Sequence, residues 1–177
     1  MELKGKNALI LAGPAYEDRE FFYPLYRLRE AGASVTIAGI GEKSYEGKCG
    51  VPTKVDGQVE EYRAQKWDIV VIPGGWAPDK IRMNAAALDI VRKTLESGNV
   101  VAAICHGPWV LVSAAVLKGK NVTSYIAIKD DVVNAGGKWI DREVVEDGGI
   151  ITSRHYDDLP AFCREIIRVA SGAKLPV

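Results

Sequence analysis

Between Val100 and Leu117 the chain reads V-V-A-A-I-C-H-G-P-W-V-L-V-S-A-A-V-L, two apolar runs joined at Cys105-His106-Gly107-Pro108. The first run is continuous and opens on β-branched residues, the pattern of a strand buried on both faces. The second has Pro108 near its start, where a missing N–H costs nothing, followed by about ten helix-compatible residues. A doubly buried strand leading into a helix belongs in a sheet covered by helices on both sides. Cys105 then sits on a sharp strand-to-helix turn, which accepts only small residues two positions to either side, and Ala103 and Gly107 meet that need. The turn also places Cys105 at the positive end of the following helix, which favours thiolate over thiol. A lone cysteine after an apolar strand is usually a small core residue. The Cys-His-Gly-Pro turn instead makes Cys105 a candidate nucleophile.

The rest of the chain repeats this alternation. Asn7–Leu11 reads as a first buried strand, and a helix runs from about Asp18 through Ala31 to a stop at Gly32, with Leu25, Leu28 and Ala31 on one face. Pro24 should kink that helix or mark its true start. Ser34–Ile40 is a second strand, and 41–58 a hairpin-like excursion carrying Cys49. Asp68–Ile72 is a third buried strand, followed by Pro73-Gly74-Gly75 and a helix over Asn84–Ser97. Beyond the central turn come a short strand at Val122–Tyr125, a helix over Ile128–Ala135, a hairpin about Asp147-Gly148, and a helix over Asp157–Ala170 with Phe162, Ile166 and Val169 inward. The alternation predicts an α/β fold, a doubly wound, mainly parallel sheet sandwiched by helices. In such folds the site lies at the carboxyl ends of the strands. There the loops at Gly13–Glu17, Gly74–Asp79 and Cys105–Gly107 converge.

At 177 residues the chain is expected to form one domain, residues 1–177. Lys plus Arg and Asp plus Glu both number 23, which gives no sign of nucleic acid or an anionic membrane as partner. No apolar run approaches the roughly 20 residues of a membrane span, and the first residues lack a secretory core. Three widely spaced cysteines without a C-x-x-C fit neither a disulfide framework nor zinc, and point to a reducing cytoplasm. Only two histidines are present, so no multi-histidine metal site is expected. Gly13-Pro14 makes no phosphate-binding pattern, and no cofactor is expected. Taken alone, Glu17 reads as a helix N-terminal carboxylate, Asp79 likewise, and Gly74-Gly75 as a turn.

Five segments, Y-E-D-R-E, P-G-G-W-A-P-D-K-I-R, A-I-C-H-G-P, T-S-Y-I-A-I-K-D-D-V-V-N-A-G and S-R-H-Y-D-D-L-P-A-F, occur in this order over nearly the whole chain. In these the chain resembles the ThiJ/PfpI superfamily, specifically its branch of PfpI-type intracellular proteases. The resemblance implies a flavodoxin-like, class I glutamine amidotransferase-like fold. It implies Cys105 as nucleophile, His106 as its base or orienting partner, and Glu17 as the buried acid beside the sulfur. A carboxylate next to a thiolate would be repelled, so that acid must hold a proton. The resemblance further implies that Asp79, where the family often has Glu, completes the site of an adjacent subunit in a homo-oligomer, a dimer or a hexamer. The backbone N–H groups of Gly75 and His106 resemble an oxyanion hole. Tyr125 stands where animal deglycase-type members carry a histidine, and Trp76 and Trp109 are expected to wall the site. After Ser153-Arg154 the family commonly has a small residue and Pro, and here His155-Tyr156 follows instead.

The function expected on this basis is a cysteine-dependent hydrolase of the intracellular protease type, with thiolate attack on the carbonyl carbon of a peptide. The alternatives are deglycase or glyoxalase chemistry on methylglyoxal or its adducts, and a non-enzymatic redox-sensing stress protein or chaperone. An enclosed cavity would favour the small aldehyde, an open groove the peptide.

Overall fold

The structure, a computed structural model, describes residues 1–173; the end of the expected 1–177 unit lies outside the described residues. In chain order the elements are β1 (Asn7–Leu11), α1 (Asp18–Glu30), β2 (Ser34–Gly39), β3 (Ser44–Glu46), β4 (Pro52–Lys54), β5 (Gly57–Gln58) and α2 (Val59–Tyr62). There follow β6 (Ile69–Ile72), α3 (Ala77–Ile81), α4 (Ala85–Glu96), β7 (Val100–Ile104), α5 (Pro108–Ser113) and β8 (Asn121–Val122). The last are α6 (Lys129–Asn134), β9 (Lys138–Trp139), β10 (Val145–Asp147), β11 (Ile150–Ser153) and α7 (Leu159–Ala170).

Seven strands form the main sheet in the order β10-β11-β7-β6-β1-β2-β5, and all pairs are parallel except β10 with β11. Taking β1, β2, β6, β7 and β11 as the five principal parallel strands, the order is 2-1-3-4-5, the flavodoxin-like doubly wound arrangement. Its topological switch lies between β1 and β6, and the loops after those two strands meet there. The central strands are apolar throughout: β6 and β7 are buried at every position. That is what a sheet covered on both faces demands. Helices α1 and α7 pack against each other, and α4 packs against α2 and α5. Among the described residues no helix is long and apolar enough to cross a membrane.

Helix α1 begins at Asp18, so Pro24 does not mark its start; the proline ring is buried within the helix beside Phe21, Leu25 and Leu28. Gly32, at φ +98°, closes the helix as expected. Asn84 caps α4, its Oδ1 accepting the N–H groups of Ala86 and Ala87. The hairpin expected over 41–58 is β3 paired antiparallel with β4, and β5 returns to the main sheet as a parallel edge.

Three expectations change. Helix α5 spans six residues rather than about ten, because the chain leaves helical conformation at Ala115, φ +58°. The strand expected at Val122–Tyr125 pairs only over Asn121–Val122, with β9. Beyond it Thr123 N–H donates to the Thr152 hydroxyl and Tyr125 N–H to the carbonyl of Cys105, which draws the chain off the ladder toward β7. The loop expected over Gly74–Asp79 gives way to the short helix α3 from Ala77.

Candidate active site

The turn after β7 holds Cys105 at φ +61°, a left-handed conformation rare for a residue with a side chain. Such strain costs of the order of 1–3 kcal/mol and persists only where the surroundings over-determine it. Here they do. Cys105 N–H donates to Ser153 O of β11 at 3.0 Å, and its carbonyl accepts Tyr125 N–H at 3.0 Å. The result is a sulfur lifted off the carboxyl end of the central strand into the space over the topological switch.

The loop after β6 closes on it from the side. Tyr16 and Gly75 form an isolated antiparallel bridge, with Glu17 N–H donating to Gly74 O and Trp76 N–H to Ala15 O. Gly75 has φ +76°, and a Cβ there would lie 2.4 Å from Glu17 N, so glycine is required. At Gly74 a Cβ would lie 2.4 Å from a Glu20 carboxyl oxygen and 2.6 Å from Cys105 Cβ. Glu20 and Cys105 thus press on the same bare backbone. The backbone N–H groups of Gly75 and His106 act on the Cys105 sulfur in the direction that favours its thiolate, and they are the pair expected to form an oxyanion hole. His106 Nδ1 lies 3.2 Å from Sγ. Its ring packs edge-on to Trp109 and tilted on Tyr125 and Trp76.

The acid beside the sulfur is Glu20, not Glu17, a correction to the sequence reading. Glu17 is the N-cap of α1: one carboxyl oxygen accepts Glu20 N–H at 3.0 Å and the other accepts Arg19 Nε at 2.8 Å. Glu20 lies one turn further, on the face that carries Phe21, Pro24, Leu25 and Leu28 inward, and is fully buried. One of its oxygens accepts Gly74 N–H at 2.9 Å, and the other has no hydrogen-bond partner. The detectable signal was a carboxylate in register with an apolar helix face, where charge is costly.

Burial, then the negative charge of Glu17, pushes the Glu20 carboxyl up to about 8. Burial and then the charge of Glu20 push the Cys105 thiol up, while the N–H donors of Gly75 and His106 pull it down. At neutral pH Glu20 holds its proton, so its charge drops out of that balance. The N–H donors of Gly75 and His106 favour charge on the sulfur, while burial keeps the proton on Glu20. His106 is held below the ordinary imidazole value by burial and then by the Lys48 charge.

Above the sulfur opens a cavity of about 460 Å³. Its walls include Glu17, Gly75, Trp76, His106 and Tyr125. Trp109 does not line it: this side chain backs His106 and donates its indole N–H to Asp131. Asp79 is also outside it, on α3, with a 57% exposed side chain 3.4 Å from Lys80. Lys48, His155, Tyr156 and Asp157 line it without having been assigned a role from sequence. Arg19, hydrogen-bonded to Glu17, stacks its guanidinium 3.4 Å over the Tyr156 ring. The departure His155-Tyr156 therefore forms a wall of the cavity. Among the described residues no three His, Cys, Asp or Glu side chains gather as a metal site.

The profile of the DJ-1/PfpI family matches residues 6–169. "Deglycase PfpI" of Pyrococcus furiosus is 47% identical over 161 residues, covering 91% of this chain and 97% of that protein. "Putative cysteine protease YraA" of Bacillus subtilis is 38% identical over 165 residues, covering 93% and 98%. A crystal structure of a two-domain protein from Anabaena variabilis, containing DJ-1/ThiJ/PfpI-like and ferritin-like domains, superposes with a TM-score of 0.89 at 44% identity. That match covers 97% of this chain and 50% of the Anabaena chain, so the chain spans half of that protein. The match of profile, sequences and fold over nearly the whole length leads to one conclusion: the chain belongs to the DJ-1/PfpI family.

Proposed function

We propose that the chain is a cysteine-dependent enzyme of hydrolase type whose substrate is a small 2-oxoaldehyde, free or released from its reversible adduct with an amine or thiol. The observation that carries this reading is the Cys105 sulfur and the buried Glu20 carboxyl meeting on Gly74, in a cavity of about 460 Å³. That volume lies toward the small end of ligand pockets, roughly 300–1,000 Å³. The name of the Pyrococcus relative agrees with it.

The steps follow from the geometry. Cys105 thiolate adds to the aldehyde carbon, a C–S bond forms, and the carbonyl π pair moves onto oxygen. Gly75 and His106 N–H groups stabilise that charge as it develops. Protonation by Glu20 gives a hemithioacetal. Glu20, now a carboxylate with one unpartnered oxygen, takes the C–H proton to give an enediol as the neighbouring carbonyl oxygen gains a proton. It then returns its proton to the neighbouring carbon while the hemithioacetal hydroxyl gives up its own and becomes the thioester carbonyl. The product is a thioester on Cys105, which water hydrolyses to a 2-hydroxy acid. The sum is addition of one water, with oxidation and reduction internal to the substrate. Asp79 enters from a neighbouring subunit of a homo-oligomer and orients His106. Its exposed place outside its own cavity, three residues after the 58% exposed Trp76, supports that arrangement.

Peptide hydrolysis by the same thiolate is the second reading, supported by the exposed rim residue Trp76 and by the name of the Bacillus relative. The test is turnover of methylglyoxal to lactate, run beside a fluorogenic peptide, with Cys105→Ser as control. Lactate formation that requires Cys105 is expected. Peptide cleavage without lactate would establish the peptidase reading, and reactivity of Cys105 without turnover of either would leave a redox-sensing protein.

A further inference from the structure

Among the described residues, the cavity is lined by one lysine, Lys48, that nothing in the proposed chemistry uses. Lys48 sits at the tip of the β3–β4 hairpin, and that hairpin is pinned to the site loop. Lys48 N–H donates to Tyr16 O and Ala15 N–H to Glu46 O, while the Tyr16 hydroxyl donates to Val51 O at 2.6 Å. The buried Asp18 carboxylate accepts the N–H groups of Cys49 and Val51 at 2.8 and 3.0 Å. A surface hairpin tied down at five backbone groups holds the stem of Lys48 in a fixed place. Its ammonium lies 5.6 Å from the centre of the Trp76 ring, among the cavity walls.

Of the carboxyl groups there, Glu17 is held by Arg19 and Glu20 keeps its proton, while the Asp157 side chain is 74% exposed and His155 Nδ1 accepts Asp157 N–H. Lys48 forms no ion pair among the described residues. Its charge is felt inside the site, where it bears on both His106 and Glu20. A cation in the wall of the nucleophile's cavity, on a pinned backbone and without an ion-pair partner among the described residues, is placed to receive an anion from the substrate.

We propose that Lys48 is the specificity-determining residue of this cavity and selects substrates that carry a carboxylate within one or two bonds of the carbon Cys105 attacks. The inference rests on the proposed role of Cys105 and concerns which substrates reach it. The carboxylate lies toward the Lys48–Trp76 wall while the reacting oxygen turns to the N–H groups of Gly75 and His106.

The test uses two alkylating agents of nearly equal size, iodoacetate and iodoacetamide, which differ by a carboxylate against an amide beside the reacting carbon. Labelling of Cys105 is followed by peptide mass spectrometry, and the iodoacetate-to-iodoacetamide rate ratio is compared with that of a small neutral thiol. A ratio of rates cancels any effect of Lys48 on the reactivity of the sulfur itself. The expected ratio at Cys105 exceeds the reference by roughly three- to ten-fold, the range for a partly screened charge-assisted contact. It falls to the reference in Lys48→Met and survives in Lys48→Arg. In the wild-type protein it declines with rising ionic strength, a readout that holds even if Lys48→Met does not fold. A wild-type ratio at or below the reference, or one unchanged in folded Lys48→Met, overturns the proposal. Because alkylation needs only a thiolate, a raised ratio in a protein that turns over no aldehyde would sink the proposed reaction and leave this inference standing.

Discussion

At the scale of single residues, the account turns on the proton of Glu20. A carboxyl raised from 4.5 to about 8 binds a proton in the folded state that the unfolded chain has already lost. Between those values the folded protein holds more protons, so stability falls as pH rises through that window. Glu20→Gln keeps the size and an acceptor for Gly74 N–H but cannot ionise. Its melting temperature should therefore vary less than that of the wild type between pH 5 and pH 8, and exceed it at the upper end. Equal pH slopes for the two proteins would show that Glu20 is already ionised. The same variant replaces a carboxylic O–H donor by a weaker amide, so the Cys105 thiolate, followed by its ultraviolet absorbance, should form at higher pH. A lower midpoint would mean that Glu20 acts on sulfur chiefly as a negative charge. The sequence made the need for such an acid legible but not its position. Glu17 and Glu20 both stand at the start of α1, and only the direction of the helix as it leaves its cap decides which one turns inward.

At the scale of elements, the strand–turn–helix around Cys105 was readable because three constraints agree: a doubly buried strand, small residues flanking the turn, and a proline tolerated at the helix start. What could not be read was the contact between non-adjacent turns. Gly74 and Gly75 look like any glycine pair until β6 is placed beside β7, when Gly74 becomes the surface on which Glu20 and Cys105 meet. Gly74→Ala should therefore shift the acid relative to the sulfur while the sheet stays intact. Displacements of about 1 Å at a reacting centre cost about a hundred-fold in rate, so kcat/KM for methylglyoxal should fall by that order with cooperative unfolding retained. Unaltered kinetics in Gly74→Ala would mean that Glu20 and Cys105 need no fixed separation. The shortness of α5 and β8 was likewise hidden, since both are cut by long-range hydrogen bonds or by Ala115 entering the left-handed region. Lys48 escaped notice for a similar reason: a lysine in a polar hairpin reads as a solvated charge, and only the clamp from Asp18 and Tyr16 turns it toward the site.

At the scale of the whole molecule, the alternation of buried strands and amphipathic helices was enough to give the doubly wound order, since the connection rules leave few other topologies. Assembly is a different matter. A C2 interface is a property of two surfaces, and Asp79 on a short helix shows only that its own cavity does not use it. Mixing Cys105→Ala with Asp79→Ala subunits, after exchange is verified by native mass spectrometry, should restore activity through hybrid sites that pair an intact Cys105 with an intact Asp79. Random pairing into dimers makes half of them mixed with one whole site of two, about a quarter of wild-type activity. Full activity in a monomer would show that no site is shared.

The central claim is that the Cys105 sulfur bonds to the carbon of a small aldehyde and carries it through to an acid. The most direct measurement is acid-quench mass spectrometry of the protein mixed with methylglyoxal, resolved to the peptide holding Cys105. The account predicts a transient adduct of one methylglyoxal on Cys105 that forms before lactate appears and decays as lactate accumulates, absent in Cys105→Ser. Lactate formation at the wild-type rate in Cys105→Ser, with no adduct on that peptide in the wild type, would contradict it.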